Sequence, residues 1–272
     1  MTQTARIFVP RIRSGLPLVL CLALAMGGCK TMDGIGSFSG RDSAALKGDD
    51  NSLPQQAESL GRRYDRNPSD RETVLAYAGI LRRLGQVEQA AAVLQKEAAR
   101  KPDDLEILGA FGKALADAGR LDEAAAVLAR AHTPERPNWS VLSAQGSVAD
   151  RMGNHAAAQG YYEAALKIVP NESSILSNLG LSYALSKDIA RAEETLRLAV
   201  AQPDADERVR QNYALVLALR GDFKKAETIG RKDAPPERVA ANITSVRQSM
   251  AEPDRWSDLR RLDRKNATAG LQ

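Results

Sequence analysis

Few side chains in this sequence could carry covalent or acid–base chemistry. There are two histidines, His132 and His155, and two cysteines, Cys21 and Cys29. An imidazole can serve as a general base or a metal ligand and a thiolate as a nucleophile, but each needs partners within hydrogen-bond reach. His132 stands in the turn-rich stretch "HTPERPN", and His155 takes a place that recurs as Val87, Leu121, Ile189 and Phe223. Both are read as structural. No HExxH motif and no phosphate-cradling glycine loop is present. The acidic groups Asp103, Asp104, Asp204 and Asp206 fall between predicted helices, where carboxylates cap orphan amides. The expectation is no enzyme: no catalytic residue, no metal site, no cofactor and no small-molecule substrate.

The cysteines belong to a different grammar. Arg6, Arg11 and Arg13 precede "GLPLVLCLALAMGGC", an apolar run too short to span a bilayer comfortably, which is the pattern of a secretory signal peptide over residues 1–28. Its end, "AMGGC", resembles a bacterial lipobox, in which a small residue precedes a cysteine that is lipidated and becomes the new N-terminus. Gly28 and Cys29 match that pattern, while Met26 and Gly27 depart from the usual Leu and Ala or Ser. The resemblance makes Cys29 the lipidation site. Lys30 follows it where Asp would often signal inner-membrane retention, so the periplasmic face of the outer membrane is the expected location.

Removing that leader changes the charge balance. The chain of 272 residues has 38 Lys and Arg against 34 Asp and Glu, and three of the basic residues lie in the leader, leaving 35 against 34. No basic patch with interleaved aromatics remains, so nucleic acid is not an expected partner. Residues 29–51 are rich in Gly, Ser and Asp and read as a flexible tether with a reach of about 25 Å. Residues 253–272 are charged and read as a disordered tail, with Trp256 expected to pack on the last helix.

Between these flanks the chain repeats itself. "GQVEQAAAVL" at Gly85 returns as "GRLDEAAAVL" at Gly119, 34 residues on. The same step connects Gly85, Gly119, Gly153, Lys187 and Gly221, and also Ala90, Ala124, Ala158, Ala192 and Ala226. A small column runs through Ala78, Gly112, Gly146, Gly180 and Ala214; a large one runs through Tyr77, Phe111, Gln145, Leu179 and Tyr213. Apolar residues recur at helical spacing before and after each glycine, so each unit is helix, turn, helix. The glycine column predicts a left-handed residue at the end of the first helix, and Lys187 there predicts a cost of about 1 kcal/mol. The small columns predict close helix crossings, with Leu94, Leu128, Tyr162 and Leu196 filling the space between layers.

These columns, with "LSNLGLSYA" and closing prolines at Pro102 and Pro170, resemble tetratricopeptide repeats starting at Arg71, Leu105, Trp139, Ser173 and Glu207. The implied fold is an all-α, right-handed α-solenoid of five repeats over residues 52–252. "LPQQAESLGRRYDRNP" supplies an extra N-terminal helix. "PPERVAANITSVRQSMA" supplies a C-terminal capping helix with Val239, Ile243, Val246 and Met250 on one face. Gln145 in the large apolar column and Gly230 in place of a bulky residue mark the third and fifth units as departures.

In such a solenoid the first helices line the inner face. Its columns read Leu75, Gly109, Ser143, Ser177, Gln211; Ala76, Ala110, Ala144, Asn178, Asn212; and Gly79, Lys113, Ser147, Leu181, Leu215. The floor is small and neutral at first, then becomes amidic and leucine-lined. Asn178 and Asn212 each offer a donor and an acceptor one repeat apart, a pattern able to hold a partner's backbone. The expected partner groove is Asn178, Asn212, Leu181, Leu215, Ser177 and Gln211, with Lys113 further along; Lys113 alone does not make a carboxylate clamp. "RNPSDRETVLAYAGILRRLGQ", "SNLGLSYALS" and "VRQNYALVLALRG" further resemble the TadD-type lipoproteins of tight-adherence (Flp) pilus assembly. That resemblance implies a non-enzymatic, pilotin-like, lipid-anchored scaffold binding a pilus assembly component such as the secretin. The alternative readings are a scaffold of another envelope assembly or export complex, or a soluble adaptor if the lipobox is not used.

Overall fold

The computed structural model describes residues 52–251. Signal peptide, Cys29, tether, tail and Trp256 lie outside the described residues. The described part contains twelve helices: α1 (Leu53–Arg66), α2 (Arg71–Arg83), α3 (Val87–Arg100), α4 (Leu105–Asp117), α5 (Leu121–Leu128), α6 (Trp139–Arg151), α7 (His155–Ile168), α8 (Ser173–Leu185), α9 (Ile189–Val200), α10 (Glu207–Arg220), α11 (Phe223–Gly230) and α12 (Pro236–Ala251). Among the described residues, extended pairing is limited to one isolated bridge between Thr133 and Arg136.

Helix starts follow the acidic and amide residues. Asp70, Asp104, Asn138 and Asp206 cap α2, α4, α6 and α10, and Asn154, Asp188 and Asp222 cap α7, α9 and α11, each accepting from an amide of the first turn. The turn between the two helices of each unit is the same five times. Gly85, Gly119, Gly153 and Gly221 have φ of 74°, 79°, 81° and 92°, and Lys187 is forced to 68°. The amide after each returns to a carbonyl five residues back, as in Gln86 N to Leu81 O at 2.8 Å and Asp188 N to Tyr183 O at 2.8 Å. That bond satisfies a carbonyl the helix end would otherwise orphan.

The small column fixes the crossing within each unit. A Cβ placed on Gly112, Gly146 or Gly180 would come within 2.6 Å of Leu128, Tyr162 or Leu196, so the bulky column of the second helix sits directly on the bare backbone of the first. Ala90, Ala124, Ala158, Ala192 and Ala226 are buried to 1% or less. The fifth unit solves its own departure differently. Gly230 leaves a space that Val239 of α12 enters, its Cγ1 lying 3.0 Å from where a Cβ would stand on Gly230. Ile243 and Val246 pack behind it, but Met250 is 46% exposed and does not join them.

The first helices α2, α4, α6, α8 and α10 pack side by side in one layer, and each second helix also packs on the first helix of the next unit. Gly109 illustrates the closeness of this layer, since a Cβ there would lie 3.1 Å from Val141 of α6. The buried apolar residues divide into two main clusters that meet at α6. Val141, Ala144 and Val148 join the N-terminal cluster, while Leu142 and Ala149 join the C-terminal one.

Candidate binding face

The residues expected to line the groove occupy unequal environments. Ser177 and Leu181 of α8 are 2% and 6% exposed, covered by the neighbouring first helices. Lys113 of α4 is likewise buried, and its ammonium donates to Ser140 Oγ at 2.6 Å. Gln211 of α10 is exposed and donates to Glu207 Oε1 at 2.6 Å, a bond one turn along its own helix. Leu215 is 37% exposed.

The two amides differ. Asn212 Nδ2 donates to Ser177 Oγ at 2.9 Å, which ties α10 to α8 and leaves its carbonyl oxygen available. Asn178, half-buried one repeat earlier, makes no side-chain hydrogen bond among the described residues. A half-buried amide with open donor and acceptor, beside a row containing Leu215, can pair with a peptide group while apolar side chains are covered.

Beneath this face lies a polar cluster for which the sequence carries no local signal. Asp150 at the end of α6 has a side chain 3% exposed. Its Oδ1 lies 2.8 Å from His155 Nδ1 and accepts from Ser182 Oγ at 2.8 Å, while Oδ2 accepts from Tyr162 at 3.2 Å. Burial pushes the Asp150 carboxyl above its ordinary value, partly offset by the bonds from His155 and Ser182. Burial, with the nearby Asp150 charge, also holds the Tyr162 phenol well above its ordinary value. The geometry is that of a structural tie among α6, α7 and α8. Ser182 donates to the carboxylate and not to the imidazole, so the cluster contains no base–nucleophile relay of the kind acyl transfer requires.

His132 and Gln145 form a second such tie. His132 Nε2 lies 3.0 Å from Gln145 Oε1, which explains the polar residue in an otherwise apolar column: the loop after α5 brings a polar partner to it. His132 Nδ1 is buried without a partner among the described residues. Among the described residues no group of three or more His, Cys, Asp or Glu side chains is arranged to hold a metal.

Comparison with known proteins bears on the fold. Residues 78–138 and 143–207 match the sequence model of the tetratricopeptide repeat. No curated protein matches the chain. Among solved structures, a thermophilic tetratricopeptide repeat protein of Thermus thermophilus is 22% identical over 61% of this chain and 91% of its own, with a TM-score of 0.55. PilW, described as a widely conserved type IV pilus biogenesis factor, is 17% identical over 67% of this chain and 83% of its own, with a TM-score of 0.55. A human IFIT1 dimer with m7Gppp-AAAA is 19% identical over 70% of this chain and 48% of its own, with a TM-score of 0.59. At these identities the likeness concerns the fold. The period, the packing of its columns and these matches agree: residues 78–138 and 143–207 are tetratricopeptide repeats, and the helices they build form a tetratricopeptide solenoid.

Proposed function

We propose that this protein is a non-enzymatic scaffold, anchored to the outer membrane through lipid on Cys29, that grips a component of a tight-adherence pilus assembly machine in its first-helix face. A tetratricopeptide solenoid is a surface for binding protein segments. The observation that carries the binding role is Asn178, whose half-buried amide has no hydrogen-bonding partner among the described residues while its counterpart Asn212 is tied to Ser177. The anchor rests on "AMGGC" and the apolar run before it, and the pilus role on the resemblance to TadD-type lipoproteins. The fold shared with PilW, itself a pilus biogenesis factor, is compatible with that role.

Two measurements test the reading. The N-terminal peptide of the membrane-extracted protein should begin at Cys29 and carry the added mass of acyl chains, and a Cys29→Ser variant should lack that modified peptide. Crosslinking in membranes should then place a pilus component, the secretin among the candidates, against α8 and α10. An N-terminal peptide without acyl mass on Cys29 would remove the anchor; crosslinks confined to the second helices would remove the binding face.

A further inference from the structure

The first-helix face changes chemical character halfway along. Burial raises the Asp117 carboxyl at the end of α4, and this is partly offset by the charges of Arg82 of α2, Arg151 of α6 and Lys113 of α4. Arg82 Nε donates to Asp117 Oδ2 at 2.6 Å, so that carboxylate is already taken up. Arg151 donates instead to the carbonyl of Ala116 and forms no ion pair of its own among the described residues, its charge balanced only through its share of Asp117. Of the other acids on α2, α4 and α6, Glu72 and Glu106 stand in first turns at the opposite helix ends, and Asp150 faces inward. Glu106 is held by Arg71 at 2.6 Å, and Asp150 is turned into the core by His155, Ser182 and Tyr162. Positive charge therefore exceeds negative at the C-terminal ends of α2, α4 and α6.

Space is available beside it. A Cβ on Gly79 would meet nothing within 4 Å. Along the same face the fourth and fifth units replace charge with leucine: where the third unit has Arg151 the fourth has Leu185, 39% exposed, and Leu215 of the fifth is 37% exposed.

We propose that the bound segment is an extended polypeptide with two chemically distinct parts, acidic side chains over Arg82 and Arg151, and apolar side chains against Leu185 and Leu215. This deepens the scaffold reading above and rests on it. The acidic part is centred on α4, between the two arginines. Packed helices lie about 8–10 Å apart, so the span from α4 to α8 or α10 is roughly 16–30 Å. At about 3.3 Å per residue, the acidic and apolar parts are separated by about five to nine residues. The charge of Arg151, which has no ion pair of its own among the described residues, also steers an acidic segment into place and makes its capture sensitive to salt.

The test uses the full chain and fluorescent peptides of about 15 residues, in which a Glu-Asp cluster and a leucine pair are separated by Ser-Thr spacers of varied length. A peptide with a spacer of about five to nine residues should bind, and Arg151→Glu should weaken it about tenfold. Leu215→Asn, at an exposed site, should weaken it about three- to tenfold. A probe with Gln and Asn in place of Glu and Asp should bind more weakly and ignore Arg151→Glu. Unchanged circular dichroism in both variants secures the comparison. The proposal is overturned if no probe binds, if the amide probe binds as well as the acidic one, if Arg151→Glu has no effect, or if single-stranded RNA displaces the acidic probe preferentially. Crosslinking of a pilus component with indifference to probe charge would overturn this inference alone; probe binding without any such crosslink would overturn the pilus reading alone.

Discussion

Asn212 donates to Ser177 across the α8–α10 boundary at 2.9 Å, and its repeat-mate Asn178 donates to nothing among the described residues. One asparagine thus fastens two units together while the other, in the same column, is left open. Substituting the two should therefore have separable consequences. Asn212→Ala should lower unfolding free energy by about 0.5–1.5 kcal/mol, and Asn178→Ala should leave it within about 0.5 kcal/mol. Urea denaturation of both variants checks this, and equal losses would contradict it.

Lys187 is the one residue of the turn column that is not glycine, and its φ of 68° carries the strain that Cβ imposes in the left-handed region. Lys187→Gly should raise stability by about 0.5–1 kcal/mol, whereas Gly153→Lys should lower it by a similar amount. Thermal or urea midpoints moving in the same direction for both would show that the turn geometry is not what distinguishes them.

The close crossings give a second contrast. Ala192 is fully buried under Gly180 and its neighbours, so Ala192→Leu overpacks the crossing and should cost about 1–3 kcal/mol. Val239→Ala removes the methyl groups that fill the space over Gly230 and should cost about 1–2 kcal/mol. Because Val239 belongs to the last helix, hydrogen exchange should accelerate in α11 and α12 and stay unchanged in α2 to α5.

Turns and crossings were legible in the sequence because each is fixed by one residue type with one physical job. Glycine alone tolerates the positive φ of Gly85 or Gly119 without strain, and only a small residue fits under Tyr162 or Leu196. The face was less legible. Ser177, Leu181 and Lys113 share columns with open residues, but the neighbouring first helices cover them. The Asp150 cluster left no trace at all, because its partners lie 5, 12 and 32 residues away on two other helices and no local pattern joins them.

Asp150 makes the stability of the fold depend on pH. Burial raises its folded pKa above the unfolded value, so the stability it contributes is fully present below the unfolded pKa of about 3.9 and is lost as pH rises through the folded value. Relative to an Asp150→Asn variant, the parent protein should therefore lose stability as pH rises from about 4 to about 7. Asp104 works in the opposite sense. Arg71 lowers its pKa, so its contribution is present above the unfolded value and is lost on acidification. Urea titrations of parent and Asp150→Asn at both pH values check the sign, and a difference independent of pH would contradict it.

On the reading proposed above, a partner segment is held by the first-helix face of the fourth and fifth units. Binding of the purified partner, crosslinked and identified from membranes, should be measured by calorimetry against Asn178→Ala and against Arg191→Ala, the latter on a second helix with its side chain 60% exposed. Asn178→Ala should weaken binding by about 1–3 kcal/mol and Arg191→Ala by less than about 0.5 kcal/mol. Equal affinity of Asn178→Ala and the parent protein, or a larger loss at Arg191, would place the partner on the other side of the solenoid.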